Sequence, residues 1–215
     1  MNKTEKVYNI LLNDIMIGKL YQGQKLVEND LMQAYHIGKT PLREALIELE
    51  KIGLAKRKIN CGFVIKHIRY KDAEEIYDLR EMLEGLAVRK ATQNITDEKI
   101  QKITKIIDEM EFHVKSKNTD EYSKLDICFH ILLCELSGNE RLLEIIKNLQ
   151  YQIKMLLKTS IFLPERGINL SFNEHKELYI AILSKKADKA EKLIRKHIIK
   201  TKKAVLRYLS SLNLS

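Results

Sequence analysis

Four side chains in the second half of the chain have the types and spacing of a metal site. Asp126 and His130 are four positions apart, so on a helix both project from one face. Their neighbours Leu125, Phe129 and Leu133 are apolar, which turns that face toward a protein interior. His175 and His197 fall on two later segments, each beside an apolar position, Leu178 and Ile194. One carboxylate and three imidazoles from three helices suit a divalent first-row ion with coordination positions left open. Zinc fits that set best, and nickel or manganese also fit. The competing reading is a set of hydrogen-bonded core histidines with a simple i, i+4 Asp–His contact.

A second group, nearer the N-terminus, is basic. Lys39, Thr40 and Arg43 stand at the start of a helical pattern, and Lys56, Arg57 and Lys58 follow it. An α-helix fits the major groove of DNA with its N-terminal residues nearest the base edges. Arg43 is the residue suited to a bidentate contact with guanine. Lys39 and the Thr40 hydroxyl suit phosphates, and the Lys-Arg-Lys run suits the backbone beside the groove. The bland alternative is a helix cap at Thr40 and a solvated strand face at 56–58.

These groups need elements to hold them. Residues 3–17 carry Val7, Ile10, Leu11 and Ile15 at helical spacing and stop at Gly18. A short helix from Glu28 to Tyr35, burying Leu31 and Ala34, leads through His36–Lys39 to Thr40-Pro41, which reads as an N-cap followed by proline at the first helical position. The next helix buries Leu42, Ala45, Leu46 and Leu49 and ends near Gly53. Ala55–Ile59 and Phe63–His67 then flank Asn60-Cys61-Gly62 as a hairpin. Two helices across a tight turn followed by a hairpin predict a winged helix-turn-helix.

From Asp72 onward the periodicity gives six helical segments and no strand. The first carries Ile76, Leu79, Leu83, Leu86 and Ala87 as an apolar stripe. Thr96 caps the second, Thr119 or Asp120 opens the third, and Asn139 caps the fourth, which runs to about Phe162 before Pro164. Ser171 with Glu174 opens the fifth, and the sixth follows Lys186-Ala187-Asp188. The expected fold class is mainly α: a winged helix-turn-helix over residues 1–70, then an all-α six-helix bundle over residues 71–215.

Composition narrows the function. Eight glycines and two prolines in 215 residues leave too few turn-formers for a sandwich or barrel. No apolar run reaches membrane-spanning length, and MNKTEKVYNILLND is too often charged for a secretory signal. Three cysteines without a CxxC pair fit a reduced, cytoplasmic chain with no disulfide framework. The net charge is +9, and residues 1–70, with 12 Lys/Arg against 7 Asp/Glu, hold more than half of it. That balance suits a polyanion.

The motifs resemble a known family. Leu26–Leu31, Ile37–Leu46, Leu49–Ala55 and Gly62–Ile65 resemble the DNA-binding domain of GntR-family regulators, whose Thr-Pro-[Val/Leu]-Arg-Glu-Ala-Leu core is complete at residues 40–46. Gly38 stands where that family usually has Ser or Thr, and Lys39 where it has Arg, which implies a shifted operator preference. Ile76–Ala87, Leu125–His130 with Ser137-Gly138-Asn139, Glu174-His175 and His197 are similar to the FCD effector domain of the FadR subfamily, in its six-helix VanR-like form. The resemblance implies DNA binding through Lys39, Thr40, Arg43, Lys56–Lys58 and Gly62 of the wing. It also implies a divalent metal on Asp126, His130, His175 and His197, and a small carboxylate effector with Arg80 as its partner. His36, His67 and His113 match no ligand position.

The expected function is thus a transcription regulator, a repressor, acting as a homodimer on a palindromic operator and sensing a small carboxylate through the metal. Two alternatives stand beside it. One is a helical metal-dependent hydrolase, against which count the absence of HExxH, of G-x-S-x-G and of an extra carboxylate that stands out as a general base near the ligands. The other is a regulator whose pocket holds no metal.

Overall fold

The computed structural model describes residues 2–59, 61–156 and 167–211. In chain order the elements are α1 (Lys3–Met16), β1 (Lys25–Leu26), α2 (Glu28–Tyr35), α3 (Lys39–Lys51), β2 (Ala55–Lys58), β3 (Gly62–Ile65), α4 (Tyr70–Gln93), α5 (Asp97–Lys115), α6 (Thr119–Leu136), α7 (Glu140–Leu156), α8 (Gly167–Leu183) and α9 (Ala187–Ser211). Residues up to Arg69, with the end of α7 from Tyr151, make one compact unit; Tyr70–Gln150 with α8 and α9 make the other.

In the first unit, Asn2 and Glu5 form a capping box that starts α1. Val7, Leu11 and Ile15 of α1 are buried, and α1 packs on α3, whose Leu42, Ala45, Leu46 and Leu49 are fully covered. Each buried valine, leucine or isoleucine among them contributes roughly 1.5–3 kcal/mol of burial. Buried Asp14 on α1 accepts a hydrogen bond from the Tyr35 hydroxyl and pairs with Lys19 at 2.8 Å, which ties the end of α2 to α1. The expectation for α2 is half met: Leu31 is buried, but Ala34 is exposed.

The start of α3 also differs from expectation. Gly38, not Thr40, is the N-cap, with no side-chain hydrogen bond, and Pro41 sits at the third helical position. Proline is tolerated there because the first-turn amides have no intrahelical acceptor. β2 and β3 pair antiparallel, from Ala55 opposite Ile65 to Lys58 opposite Gly62. Gly62 has φ +77°, a conformation few other residues adopt, which lets the wing reverse. β1 adds a two-residue strand on the other edge of β3, unforeseen because two residues leave no alternation to read.

The second unit consists of helices only among the described residues. Ala73, Ile76, Tyr77, Ala87, Val88 and Ala91 form the buried face of α4, together with Arg80 and Glu84. α9 runs along α4, and Gly85 permits the close approach: a Cβ there would stand 2.7 Å from the Arg195 Nε. α5 packs on α6 and α8, and α8 on α9, around Ile103, Met110, Phe129, Leu133, Leu178 and Ile194.

The stripe expected on α4 splits. Ile76 and Ala87 are covered, whereas Leu79 and Leu86 face outward. The helix carries apolar residues on two faces, and the inner one is completed by the ion pair of Arg80 and Glu84. α8 begins at Gly167 rather than at Ser171. The expected continuation of α7 to about Phe162 and Pro164 lies outside the described residues. No described helix is long and apolar enough to cross a membrane.

Candidate functional site

Three helices deliver the four polar residues to one point. α6 brings Asp126 and His130 on one face, α8 brings His175 and α9 brings His197. All three imidazoles are buried, and Asp126 is partly exposed. One donor atom from each of the four lies within 4.8 Å of the other three. The Nε2 atoms of His130 and His175 lie 3.9 and 3.6 Å from the Asp126 carboxylate oxygens. The ring centroids of His175 and His197 are 4.5 Å apart.

Each imidazole is oriented through its other nitrogen. His130 donates from Nδ1 to Glu84 at 2.5 Å, and His197 from Nδ1 to Glu174 at 2.9 Å. The Tyr122 hydroxyl lies 3.3 Å from His175 Nδ1. Partners of this kind fix the tautomer and ring plane and make Nε2 the donor. The donor set therefore fits a divalent ion: three imidazoles presented through Nε2 and a carboxylate at the open edge.

Behind His130 the network continues. Glu84 accepts from Arg80 Nε at 2.6 Å, one turn earlier on α4. Burial opposes ionisation of Glu84, but Arg80 and then His130 outweigh it and hold its carboxyl at about 2. It is thus a buried anion at neutral pH, compensated on both sides. Arg80 itself is buried, against Glu84 and over the Tyr77 ring at 5.2 Å. Glu174 bridges His197 and Lys200, the latter at 2.6 Å.

Two further carboxylates, Glu84 and Glu174, thus stand behind the ligands. Part of the signal was in the sequence. Arg80 and Glu84 share the register of Ile76 and Ala87, and Tyr122 stands four and eight positions before Asp126 and His130. Both carboxylates are engaged by imidazole N–H groups, so they orient ligands rather than act as a general base.

The basic group lies in the other unit. Lys39, Thr40 and Arg43 are exposed on the first turns of α3, and the cap at Gly38 uses no side chain, so the helix start keeps N–H groups facing outward. Arg43 donates from Nε to both Glu28 oxygens at 2.9 Å, which holds the guanidinium at the helix surface. On the wing, Lys56, Arg57 and Lys58 are all exposed. Arg57 is held by Glu50, which accepts its backbone N–H at 3.0 Å, and lies over the Phe63 ring at 5.1 Å. Gly62 is exposed at the wing's turn, and no atom lies within 4 Å of the point a Cβ would occupy there.

Comparison with known proteins agrees with this architecture. Residues 3–65 match the family described as bacterial regulatory proteins, gntR family, and residues 75–200 match the FCD domain. The HTH-type transcriptional regulator YdhC of Bacillus subtilis is 29% identical over 194 residues, covering 88% of this chain and 85% of its own. The gluconate operon transcriptional repressor of Bacillus licheniformis is 30% identical over 155 residues, covering 71% of this chain and 61% of its own. Among solved structures, McbR/YncC of E. coli superposes with a TM-score of 0.78 at 20% identity, covering 97% of this chain and 98% of that one.

Proposed function

This chain belongs to the GntR family and carries its FCD domain, a DNA-binding transcriptional regulator and not an enzyme, and from that premise we propose that it is a metal-dependent sensor of a small carboxylate, acting as a repressor. Residues 1–70 are the reading domain and residues 71–215 the sensing and dimerising domain. Its DNA partner places it in the cytoplasm. One copy presents few base-reading side chains, so useful specificity calls for two copies on a palindromic operator. Arg43 reads a base edge. Lys39, Thr40, Lys56, Arg57 and Lys58, with the close backbone approach at Gly62, hold phosphates.

The observation that carries the sensing half is the convergence of four donor atoms within 4.8 Å, with each imidazole oriented by its own partner. Asp126, His130, His175 and His197 would hold the ion, with zinc ahead of nickel and manganese. Bound there, such an ion supplies open coordination positions for a carboxylate. Arg80, whose Nε is already taken by Glu84 at 2.6 Å, serves the site through Glu84 and His130. The binding preference of the effector for one arrangement of the protein sets the largest change it can make in DNA affinity.

The test is metal analysis of untagged protein, with His130→Ala and His175→Ala beside it, followed by a thermal-shift screen of small carboxylates. The reading requires about one ion per chain, lost in both variants, and a carboxylate response that disappears with the metal. A carboxylate response that survives chelation would establish a metal-free pocket instead.

A further inference from the structure

DNA reading by residues 1–70 leaves the charge of α9 without a role. α9 carries eight Lys/Arg against only Asp188 and Glu191, a larger excess in 25 residues than residues 1–70 hold. The rest of the chain is slightly acidic. Four of these lysines, Lys192, Lys196, Lys200 and Lys203, are exposed and line one groove of about 460 Å³ beside α4. Spacings of four, four and three residues set like charges side by side, which opposes the helix unless an anion lies across them.

The neighbouring acids do not supply that anion. Glu191 is taken by Arg89 at 2.9 Å and by Arg195 at 2.8 Å. Glu81, which lines the groove, faces Arg195 at 3.6 Å. Lys200 reaches Glu174 at 2.6 Å. Lys192, Lys196 and Lys203 have no partner among the described residues.

We propose that this groove binds a small ligand carrying several linked phosphates. Its volume falls within the roughly 300–1,000 Å³ of small-molecule sites, and a cleft lined by one sign of charge concentrates the field on its occupant. The donor type selects phosphate. Ammonium groups hold phosphate oxygens as point charges, whereas a carboxylate is best held by a free guanidinium fork. The Arg195 fork is closed, since its Nε and Nη2 already donate to Glu191 at 3.0 and 2.8 Å. The extent of the row selects a chain of phosphates. Lys192 to Lys203 covers about 16 Å of helix, so a single phosphate reaches only part of it. Ile199, 37% exposed, offers an apolar surface on which the nucleoside of a nucleotide would rest. The site uses none of the DNA-reading or metal-donor residues.

Titration calorimetry of the full chain at near-physiological ionic strength tests it, with tripolyphosphate, orthophosphate and adenosine triphosphate as probes. Tripolyphosphate is expected to bind once per chain, about tenfold or more tighter than orthophosphate. Lys196→Glu/Lys203→Glu should abolish that binding and Lys196→Gln/Lys203→Gln weaken it, both with unchanged circular dichroism. Tighter binding of adenosine triphosphate than of tripolyphosphate would support a nucleotide as the occupant, and equal binding a free oligophosphate. Equal tripolyphosphate binding by wild type and Lys196→Glu/Lys203→Glu would place the anion elsewhere and overturn the proposal. So would orthophosphate binding as tightly as tripolyphosphate. A non-operator duplex that loses affinity in the same variant, while tripolyphosphate binds neither protein, would make the row a DNA-backbone contact and overturn it too.

Discussion

An imidazole binds a divalent ion through an unprotonated nitrogen that points at the ion, and the partner on the far side of the ring holds the other N–H and so fixes the tautomer and the direction. Glu84 does this for His130, Glu174 for His197 and Tyr122 for His175. Glu84→Gln is therefore expected to lower metal affinity by roughly 10–100-fold, read by competition with a chromophoric chelator. Tyr122→Phe should cost less, since it removes a 3.3 Å contact to a neutral hydroxyl. Equal affinity in Glu84→Gln and wild type would show that the carboxylate is not a positioning group. Arg80 acts one step further back. Arg80→Met leaves the Glu84 anion buried with only His130 to compensate it, and the expected loss of stability is about 3–5 kcal/mol. Urea unfolding measures it, and the double variant Arg80→Met/Glu84→Leu should recover most of the loss. If the double variant is no more stable than the single, the pair does not act as a unit.

At the scale of elements, the proposed function divides the work on DNA between α3 and the wing. Arg43→Ala should lose about 1–3 kcal/mol of discrimination at one base pair, whereas Lys58→Ala should weaken all sequences alike and lower the salt slope by about one. Titrations against operator variants at several salt concentrations separate the two, and a base preference unchanged by Arg43→Ala would remove it from the reading role. Glu28 holds the Arg43 Nε, so Glu28→Ala should blur the preference at that same base pair while leaving the salt slope nearly unchanged. The parts of these elements legible in the sequence are those where one period repeats. Leu42, Ala45, Leu46 and Leu49 declare the buried face of α3 without help from tertiary structure, whereas the four donor residues were singled out by the resemblance to the FCD domain, spacing alone leaving a hydrogen-bonded core equally open. Three details were hidden for separate reasons. Thr40-Pro41 imitates a helix start that lies two residues earlier, since proline is acceptable anywhere in the first turn. Leu79 and Leu86 share a period with Ile76, but periodicity does not say which of two apolar faces another element covers. Glu84 reads as a surface charge until Arg80, one turn away, is seen to be buried with it.

Across the whole molecule, binding at one site can influence the other only through a difference in free energy between arrangements. Residues 1–70 hold 12 of the 38 basic side chains and, in the proposed function, supply the reading surface, while the donor cluster lies between α6, α8 and α9. If a carboxylate at that cluster weakens operator binding by some factor, operator DNA must weaken carboxylate binding by the same factor. Couplings of this kind are typically about 5–150-fold, so the reciprocal effect is measurable. The expected result is two equal factors: one from operator titrations with and without saturating carboxylate, the other from carboxylate titrations of free and operator-bound protein. Both should fall to one in His175→Ala, which removes a donor without touching the DNA-reading residues. A carboxylate that binds free and operator-bound protein equally tightly releases no DNA at any concentration, however strong its binding. That outcome would leave the cluster a structural metal site and end its role as the sensor.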